Sequence, residues 1–248
     1  MMKLSVVIVT YNETAKLVNC LKSVTEIASE IIIIDLGSSD GLDKVLLNKN
    51  IKLLRHSYVT HVELVRNLAI SKAICDWVLI LDPDEIVPVT LGAKITDLVT
   101  QSEYVAINIP RKNIFFGKWV SHTNFWPDRQ IRLVRKNSVS WPAVIHSYPK
   151  IKGSILNLPA QPEFALNHYG FDNLTDFFER HNRYSSVLAT EINGKKNYPV
   201  WKALWMPLRE ILVRYLKHLG FLDGYRGLFL TYLQMVYRLD VFVKIYTQ

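Results

Sequence analysis

The chain has 248 residues, 49% of them hydrophobic, which suffices for one large α/β domain with a modest appendage but not for two full-sized domains. Its net charge of +8 is compatible with nucleic acid, an anionic membrane surface or a phosphorylated small molecule as partner. Cys20 and Cys75 have no closely spaced cysteine partner, which argues against a disulfide-bonded scaffold or a zinc site and indicates a reducing compartment.

The first part of the chain alternates between apolar runs and helical patterns. Apolar residues recur at helical spacing in Glu13–Val24 and again in Val62–Ala73. The apolar runs typical of strands buried on both faces are Leu4–Val9, Ile31–Ile34 and Trp77–Leu81, and Ile51–Leu54 is predicted as a further strand. The first run is too short for a signal-peptide core, and no stretch has the roughly 18 uncharged apolar residues of a spanning helix, so we expect a cytoplasmic protein. The order of elements predicts an α/β fold with a mostly parallel sheet flanked by helices.

The next segments contain fewer strand patterns. Tyr104–Ile109 and Gln130–Arg135 have the pattern of strands separated by an aromatic-rich loop, and Leu174–Ala189 has helical periodicity. Turn-forming residues cluster at Asn193–Pro199. We therefore expect a domain boundary that divides the chain into residues 1–195 and a C-terminal segment of residues 196–248.

The C-terminal segment has two amphipathic helical stripes joined by the turn Asp223-Gly224. Their apolar positions are Leu208, Ile211, Leu212, Tyr215, Leu216 and Leu219, then Leu228, Phe229, Tyr232, Leu233, Val236 and Tyr237. Basic residues flank both stripes, and Trp201 and Trp205 precede them. This pattern predicts a helical hairpin that either lies on a membrane interface or packs its stripes together and caps the first domain. Because no nucleic-acid-binding module is recognised, we do not expect nucleic acid as partner.

Polar residues follow three of the predicted strands, at Thr10–Glu13, Asp35–Asp40 and Asp82–Glu85. Ligands of such sheets bind beyond the carboxyl ends of the strands, so we expect these residues to form one site. Asp82-Pro83-Asp84-Glu85 places two carboxylates two residues apart, which is enough to chelate Mg²⁺ or Mn²⁺ together with phosphate oxygens and water. The alternative is a turn that begins a helix, with its acidic residues beside the helix dipole.

Together these segments resemble the family 2 inverting glycosyltransferases, which have the Rossmann-like GT-A fold. Ser5–Glu13 resembles the family's first strand and donor loop, and Ile31–Asp35 with Ser38–Gly41 resembles its second nucleotide-contacting loop. Arg66-Asn67 followed by Leu81–Glu85 resembles its DxD region, in which Pro83 replaces the usual alanine. The resemblance implies metal-dependent transfer of a sugar, with a UDP-hexose as the first expectation for the donor.

The later motifs are similar to those of the enzymes of lipopolysaccharide-core synthesis. They are Arg111, Phe116-Gly117-Lys118, Trp126–Leu133, His146, Asn167-His168-Tyr169 and Gly220–Gly224. Ser147 stands where those enzymes carry glutamate. This similarity implies a glycan or lipid-linked acceptor, in the lipopolysaccharide core or another cell-envelope glycan, and peripheral attachment to the cytoplasmic face of a membrane.

The family resemblance also implies individual roles at the donor and metal sites. Tyr11 packs on the base or ribose, Glu13 accepts hydrogen bonds from the donor, and Asp35 reads the edge of the base. Other donor-site residues are Thr10, Asn12, Ser39, Asp40, Arg66 and Asn67, with Arg66 and Arg132 as positive charges for the diphosphate. Asp84 coordinates the metal, Asp82 contacts ribose and metal, and His168 is a third ligand or an ordinary hydrogen-bonded histidine. The structural alternatives are a core tyrosine, a helix-capping Asn12 and a turn aspartate at Asp40.

Inverting transfer needs a general base opposite the departing diphosphate. Asp128 and Glu85 are the candidates, and we favour Asp128 because an acceptor sugar can stack on Trp126 beside it. Glu85 alternatively orients the metal motif, and Asp128 is alternatively a turn residue after Pro127. His146 is either on the acceptor side or structural.

Other classes remain open. A sugar nucleotidyltransferase shares the opening fold, but Thr10–Glu13 is not the glycine-rich phosphate loop that it requires. A polyprenyl-phosphate sugar synthase, or a non-catalytic membrane-associated scaffold that binds nucleotide sugars, would retain the same donor motifs.

Overall fold

A computed structural model describes residues 4–46, 51–144, 147–193 and 199–247. Its strands are β1 (Leu4–Thr10), β2 (Glu30–Asp35), β3 (Ile51–Arg55), β4 (Trp77–Leu81), β5 (Glu85–Ile86), β6 (Ala106–Phe115), β7 (Lys118–Trp119), β8 (Asp128–Arg135), β9 (Val139–Ser140), β10 (Lys150–Ile151), β11 (Ile155–Asn157) and β12 (Leu166–Tyr169). Its α-helices are α1 (Thr14–Val24), α2 (Glu63–Ser71), α3 (Val89–Gln101), α4 (Leu174–Asn193), α5 (Lys202–Glu210) and α6 (Tyr225–Thr247).

The chain forms two compact units. The sheet unit comprises Met1–Arg111 and Arg129–His168, and the helical unit comprises Lys112–Asp128 and Tyr169–Gln248. The predicted boundary between residues 195 and 196 lies outside the described residues and stays a prediction.

The main sheet has the strand order β3-β2-β1-β4-β8-β6-β12-β5. β3, β2, β1 and β4 run parallel to one another, whereas β8 pairs antiparallel with β4, and β12 pairs antiparallel with β5. The α/β fold predicted from the sequence is therefore confirmed. Antiparallel pairing also joins β6 to β7 and β9 to β10.

The continuous apolar runs are explained by a separate core on each face of the sheet. On one face, Val6, Ile8 and Leu79 pack with the buried side of α1. On the other, Val7 and Ile80 pack with the buried side of α2. Because successive side chains of a strand point to opposite faces, a strand covered on both sides must be apolar at every position.

The sequence patterns miss α3 and most of the short strands. α3 is rich in β-branched residues and contains Gly92, which lower helix propensity. Its helical structure is stabilised instead by burial of Leu91 and Ile95, which join the core around β1. The two-residue strands, such as β5 and β7, are too short to show an alternating pattern and depend on their partners.

The C-terminal segment forms the helical structure expected for it. α5 continues into a π-helix at Ile211–Lys217, a 3-10 turn at Gly220–Asp223 follows, and α6 completes the hairpin. Within the described residues, no helix is both long enough and apolar enough to span a membrane.

Four residues of the first stripe, Leu208, Leu212, Leu216 and Leu219, are exposed, whereas Ile211 and Tyr215 are half-buried. Together with the exposed residues that precede the stripe, they form an apolar surface that we call the outer stripe, which comprises Trp201, Leu204, Trp205, Leu208, Leu212, Leu216 and Leu219. Leu204 is 82% exposed and Leu216 is 52% exposed. The second stripe is divided, because Leu233 is buried and Leu228 is exposed.

Aromatic residues of α4 and α6 surround His181 in the core of the helical unit. The imidazole stacks on Phe177 at 3.6 Å between ring centroids and meets the Tyr237 ring edge-on at 5.0 Å. Its Nδ1 donates to the carbonyl of Phe177 at 2.9 Å. Burial lowers the pKa of His181 to about 4, because it disfavours the imidazolium form more than the Phe177 carbonyl stabilises it.

His181 therefore makes stability depend on pH. A histidine of the unfolded chain titrates near pH 6.5, so between about pH 6.5 and 4 the unfolded state binds a proton that the folded state does not. We expect Tm to fall as pH drops through this window, and to fall less in His181→Phe, when both are measured by thermal denaturation from pH 7.5 to 4.5. Equal pH dependence of the two proteins would contradict this explanation.

Candidate active site

Side chains at the ends of β1 and β2 hold two loops of the sheet unit together. Asn12 Oδ1 accepts from the backbone N–H of Ser39 at 2.7 Å, and Ser38 Oγ accepts from the backbone N–H of Asn12 at 2.9 Å. The Asp40 carboxylate accepts from the N–H and the hydroxyl of Thr14, at 2.8 and 2.7 Å, at the start of α1. Asn12 and Asp40 thus order the loops in which they lie, so any contact with a donor would be additional.

The Asp35 carboxylate, at the end of β2, is fully buried and bonded within the same region. It accepts from the backbone N–H of Ser38 at 2.9 Å and from Arg55, which also pairs with Asp43. Burial alone would raise the pKa of Asp35, but the hydrogen bonds from Ser38 and Arg55 outweigh it, so the pKa lies below its ordinary value. Asp35 is therefore ionised at neutral pH and fixed in orientation.

Aromatic and polar groups suited to a nucleoside lie at the same edge. Tyr11 and Tyr58 are both exposed, and their rings meet edge-to-face at 4.9 Å. Thr10 Oγ1 is buried without a hydrogen-bond partner among the described residues. Glu13 precedes α1, and its carbonyl accepts from Leu17. Tyr11 is thus not a core tyrosine, which was the structural alternative.

The acidic motif Asp82–Glu85 forms a closed turn after β4. The N–H of Glu85 donates to the carbonyl of Asp82 at 3.0 Å, and the N–H of Asp82 donates back to Glu85 Oε2 at 3.0 Å. The next helix, α3, begins at Val89 after Pro88, so the motif does not cap a helix. Its conformation is set by the Glu85 side chain.

Three arginines surround two of the motif's three carboxylates. Arg132 on β8 donates to Asp82 and, at 2.6 Å, to Glu85, while Arg111 on β6 lies 3.3 Å from Glu85. Arg66 on α2 lies 3.5 Å from the other oxygen of Asp82. Burial raises the pKa of Asp82, but Arg132 and Arg66 overcome this effect and hold it below its ordinary value. Glu85 is fully buried, and these contacts match the orienting role that the sequence left open.

The third carboxylate, Asp84, lies beside His168. Antiparallel pairing of β5 with β12 places His168 opposite Glu85, and its Nε2 lies 3.6 Å from Asp84 Oδ2. The side chain of Asp84 is 5% exposed and that of His168 is 14% exposed. Within the described ranges no group of three or more histidine, cysteine, aspartate or glutamate residues could hold a metal. A carboxylate–imidazole pair nevertheless fits a Mg²⁺ or Mn²⁺ whose remaining ligands are phosphate oxygens and water.

Two predicted donor residues also contact Trp141. Asn67 donates to the Trp141 carbonyl at 2.8 Å and accepts from its N–H at 2.9 Å. The guanidinium of Arg66 lies over the indole, 5.4 Å from its centroid. Asn67 therefore fixes the backbone at Trp141, whereas Arg66 contacts both the Trp141 ring and the Asp82 carboxylate.

The predicted acceptor residues Trp126 and Asp128 belong to the helical unit. Asn113 donates to Asp128 Oδ2 at 3.2 Å and to the carbonyl of Phe125 at 2.9 Å. Trp126 meets Trp119 edge-on at 5.4 Å, and the Lys112 ammonium lies 4.9 Å from the Trp119 ring centroid. His146 lies outside the described residues. These contacts create an aromatic surface next to a carboxylate within this unit.

The sequence reasoning missed Arg55, Tyr58 and Trp141, and left Arg111 without a role. Arg55 is the last residue of β3, and Tyr58 follows it. The segment directly after β3, unlike those after β1, β2 and β4, carries no acidic residue that would mark it as part of a site. The signal available was position alone, since every strand end of a parallel sheet contributes to the same edge.

The chain is similar in sequence to several known proteins. The family model for glycosyl transferase family 2 matches residues 5–151. An uncharacterized glycosyltransferase of Rickettsia typhi is 26% identical over 240 residues, which cover 91% of this chain and 81% of that protein. A TPR repeat-containing protein of Synechococcus elongatus is 29% identical over 118 residues, which cover 48% of this chain and 29% of that protein.

Two solved structures show the same fold. The mannosyltransferase PcManGT of Pyrobaculum calidifontis, in complex with GDP-Man and Mn²⁺, has a TM-score of 0.57 at 14% identity, covering 99% of this chain and 87% of that one. TarS of S. aureus has a TM-score of 0.51 at 15% identity, covering 96% of this chain and 89% of that one. At these identities the likeness shows a shared fold.

Glu85 should be essential for stability. Replacing it with alanine leaves Arg132 buried beside a single carboxylate and removes the acceptor of the Asp82 N–H, so we expect a loss of about 3 kcal/mol in the free energy of unfolding. The exposed Glu103→Ala is the control and should change it by less than about 0.5 kcal/mol. Urea denaturation measures both, and a loss in Glu85→Ala no larger than in the control would show that the network does not stabilise the fold.

Proposed function

Because the chain belongs to glycosyl transferase family 2, we propose that it moves a hexose from a nucleotide sugar, with UDP as the first nucleotide to test, to a glycan or lipid-linked acceptor with inversion. The proposal rests mainly on one observation, that the three carboxylates of the acidic motif have different surroundings. Arg132 and its neighbours neutralise Asp82 and Glu85, whereas Asp84 lies beside His168. The adjacent Asp84 and His168 are the proposed ligands for Mg²⁺ or Mn²⁺, and Asp82 contacts both the metal and the ribose.

The donor occupies the carboxyl edge of the parallel strands in this proposal. The nucleoside stacks on Tyr11, Asp35 reads the base, and Glu13 and Asp82 accept from the ribose. Thr10, Asn12, Ser39, Asp40 and Asn67 complete the donor segments, and Asn12, Asp40 and Asn67 also order them. Support comes from the exposed Tyr11, the ionised and oriented Asp35, and the unsatisfied hydroxyl of Thr10.

Positive charge in this region suits the departing diphosphate. Arg66 and Arg132 are held in place before the reaction, and Arg132 Nε has no hydrogen-bond partner among the described residues. Charge oriented in advance stabilises the leaving group without a cost of reorganisation in the transition state. A divalent cation, when bound, supplies Lewis acidity toward the same diphosphate.

Transfer breaks the bond between the anomeric carbon and the phosphate oxygen and forms a bond from that carbon to the acceptor oxygen. Asp128 takes the proton of the acceptor hydroxyl, and the nucleoside diphosphate leaves on the opposite face, which inverts the anomeric centre. Asn113 orients the Asp128 carboxylate, and Trp126 with Trp119 provides a face on which an acceptor sugar stacks.

The acceptor is proposed to be anchored in a membrane, as the lipopolysaccharide core or another cell-envelope glycan is. The outer stripe supports this, because its leucines and tryptophans are exposed along one side of the segment. Residues 196–248 also contain eight lysines and arginines against three acidic residues, which suits an anionic surface. We therefore propose that residues 1–195 bind the donor and residues 196–248 attach the protein to the cytoplasmic face.

Substitution of Asp84 tests the catalytic part of the proposal. With UDP-, GDP- and ADP-hexoses and Mg²⁺ or Mn²⁺, the wild type should release nucleoside diphosphate, and Asp84→Asn should lose on the order of 100- to 1,000-fold in rate. The exposed Asp97→Asn should retain wild-type rates. Release that no metal stimulates, or no release from any donor, would count against a metal-dependent transferase and favour a non-catalytic scaffold.

Substitutions in the outer stripe test the proposed attachment to a membrane. Leu204→Glu/Leu208→Glu should lower binding to phosphatidylglycerol-containing vesicles by at least about tenfold, because two charges replace inserted side chains. Ile74→Glu, at an exposed site of the sheet unit, is the matched control and should bind like wild type. Cosedimentation measures all three, and equal binding by the double variant would exclude the outer stripe as the membrane contact.

A further inference from the structure

The segment of residues 120–127, which we call the acceptor loop, leads directly to Asp128. Thr123 and Asn124 both have left-handed backbones, with φ values of 56° and 61°. This conformation is unfavourable for residues other than glycine, and most of all for β-branched ones such as threonine. It persists only where surrounding contacts determine it, so the source of those contacts matters.

A single carboxylate from the C-terminal hairpin supplies most of these contacts. Asp223 accepts from the backbone N–H groups of Ser121 and His122, at 3.2 and 3.0 Å, and from the Thr123 hydroxyl at 2.6 Å. Its side chain is only 6% exposed. Three consecutive residues of the acceptor loop therefore depend on one side chain roughly a hundred residues later in the chain.

Arg214 holds the far side of the same loop. It donates to the Thr123 carbonyl at 3.1 Å, and its guanidinium lies 4.9 Å from the centroid of the Phe125 ring. Buried Glu210 orients Arg214 through a 2.7 Å contact to its Nε. Arg214 thus lies in the interior of the helical unit, although its place in the sequence suggested the polar side of a surface helix.

Two glycines permit this close approach. A Cβ on Gly220 would lie 2.7 Å from the Arg214 carbonyl oxygen and 3.2 Å from the Thr123 hydroxyl. A Cβ on Gly227 would lie 1.8 Å from the Gly220 carbonyl oxygen. The motif Gly220–Gly224, which the sequence singled out without giving it a task, is therefore shaped to bring Asp223 to the loop.

The loop in turn positions Asp128. Asn113 donates to the Phe125 carbonyl and to the Asp128 carboxylate with the same amide nitrogen. A shift of Phe125 would therefore change the orientation of both Asn113 and Asp128.

We propose that Asp223 is a positioning residue that acts through the acceptor loop on Asp128, an inference that rests on the proposed function. Its carboxylate holds the left-handed turn at Thr123 and thereby fixes Trp126 and Asp128 for the acceptor. Asparagine at this position has one acceptor oxygen instead of two, so it keeps the size of the side chain but not its set of hydrogen bonds.

The test compares Asp223→Asn with Asp240→Asn, which removes another carboxylate of the helical unit, bonded to Ser185 and Lys244. Asp223→Asn should lower kcat for transfer by about 10- to 100-fold and leave the donor KM within about twofold, because donor contacts are intact. Asp240→Asn should leave both within about threefold. In an Asp128→Asn background, Asp223→Asn should cause no further loss of kcat, because the group that it positions is gone.

Hydrogen–deuterium exchange separates this proposal from the proposed function. Amides of the acceptor loop should lose protection in Asp223→Asn but not in Asp240→Asn, while α6 stays protected in both. Unchanged loop protection, or losses in kcat that add in the double variant with Asp128→Asn, would overturn the positioning role. If wild type transfers no sugar but loop protection falls as expected, the proposed function fails and Asp223 remains the residue that orders this loop.

Discussion

The arrangement of the sheet unit depends on one guanidinium, that of Arg132 between the carboxylates of Asp82 and Glu85. Arg132 is only 3% exposed, and although burial disfavours its charge, the two carboxylates raise its pKa well above the ordinary value. Charges removed from water, such as those of Arg132 and Glu85, are costly unless each is paired and hydrogen-bonded. Here the cost is offset because β8 lies beside β4, which brings Arg132 to the motif that follows β4.

Because of this pairing, the three carboxylates of the acidic motif make different contacts. Glu85 also accepts from the N–H of Asp82 and from Arg111, so it fixes the turn from within. Asp82, 30% exposed, is held between Arg132 and Arg66 in its ionised form. Asp84 alone is directed to the histidine of β12. The three carboxylates of the motif thus serve as scaffold, charged contact and proposed metal ligand, a distinction that spacing alone does not reveal.

The helical unit also contains a buried carboxylate that is paired with arginines. Glu210 is buried against three arginines, one of which continues to the acceptor loop, and Asp223 holds the same loop from the following turn. The two sides of the hairpin therefore differ. Its inner groups order the loop that leads to Asp128, whereas its outer stripe is exposed.

The sequence was sufficient for elements whose pattern is local. Strands β1, β2 and β4 are covered on both faces and are therefore mostly apolar along their length. The amphipathic helices α1, α2 and α4 followed from their periodicity. α3 and β5 were not predicted, because their structure results from burial and strand pairing with distant residues. The same limit applies to the site. The strand-end positions of Asp35 and Asp84 could be predicted, but the contacts of Arg55, Arg111 and Asp223 arise only from long-range packing.

The most direct test of the central claim is anomalous diffraction from crystals grown with UDP and Mn²⁺. The division of the motif predicts one manganese peak within bonding distance of Asp84 Oδ and His168 Nε2, with the diphosphate on the same ion and with Arg132 still between Asp82 and Glu85. A manganese ion bound by Asp82 or Glu85 in place of Asp84, or a diphosphate bound without any manganese nearby, would contradict the account.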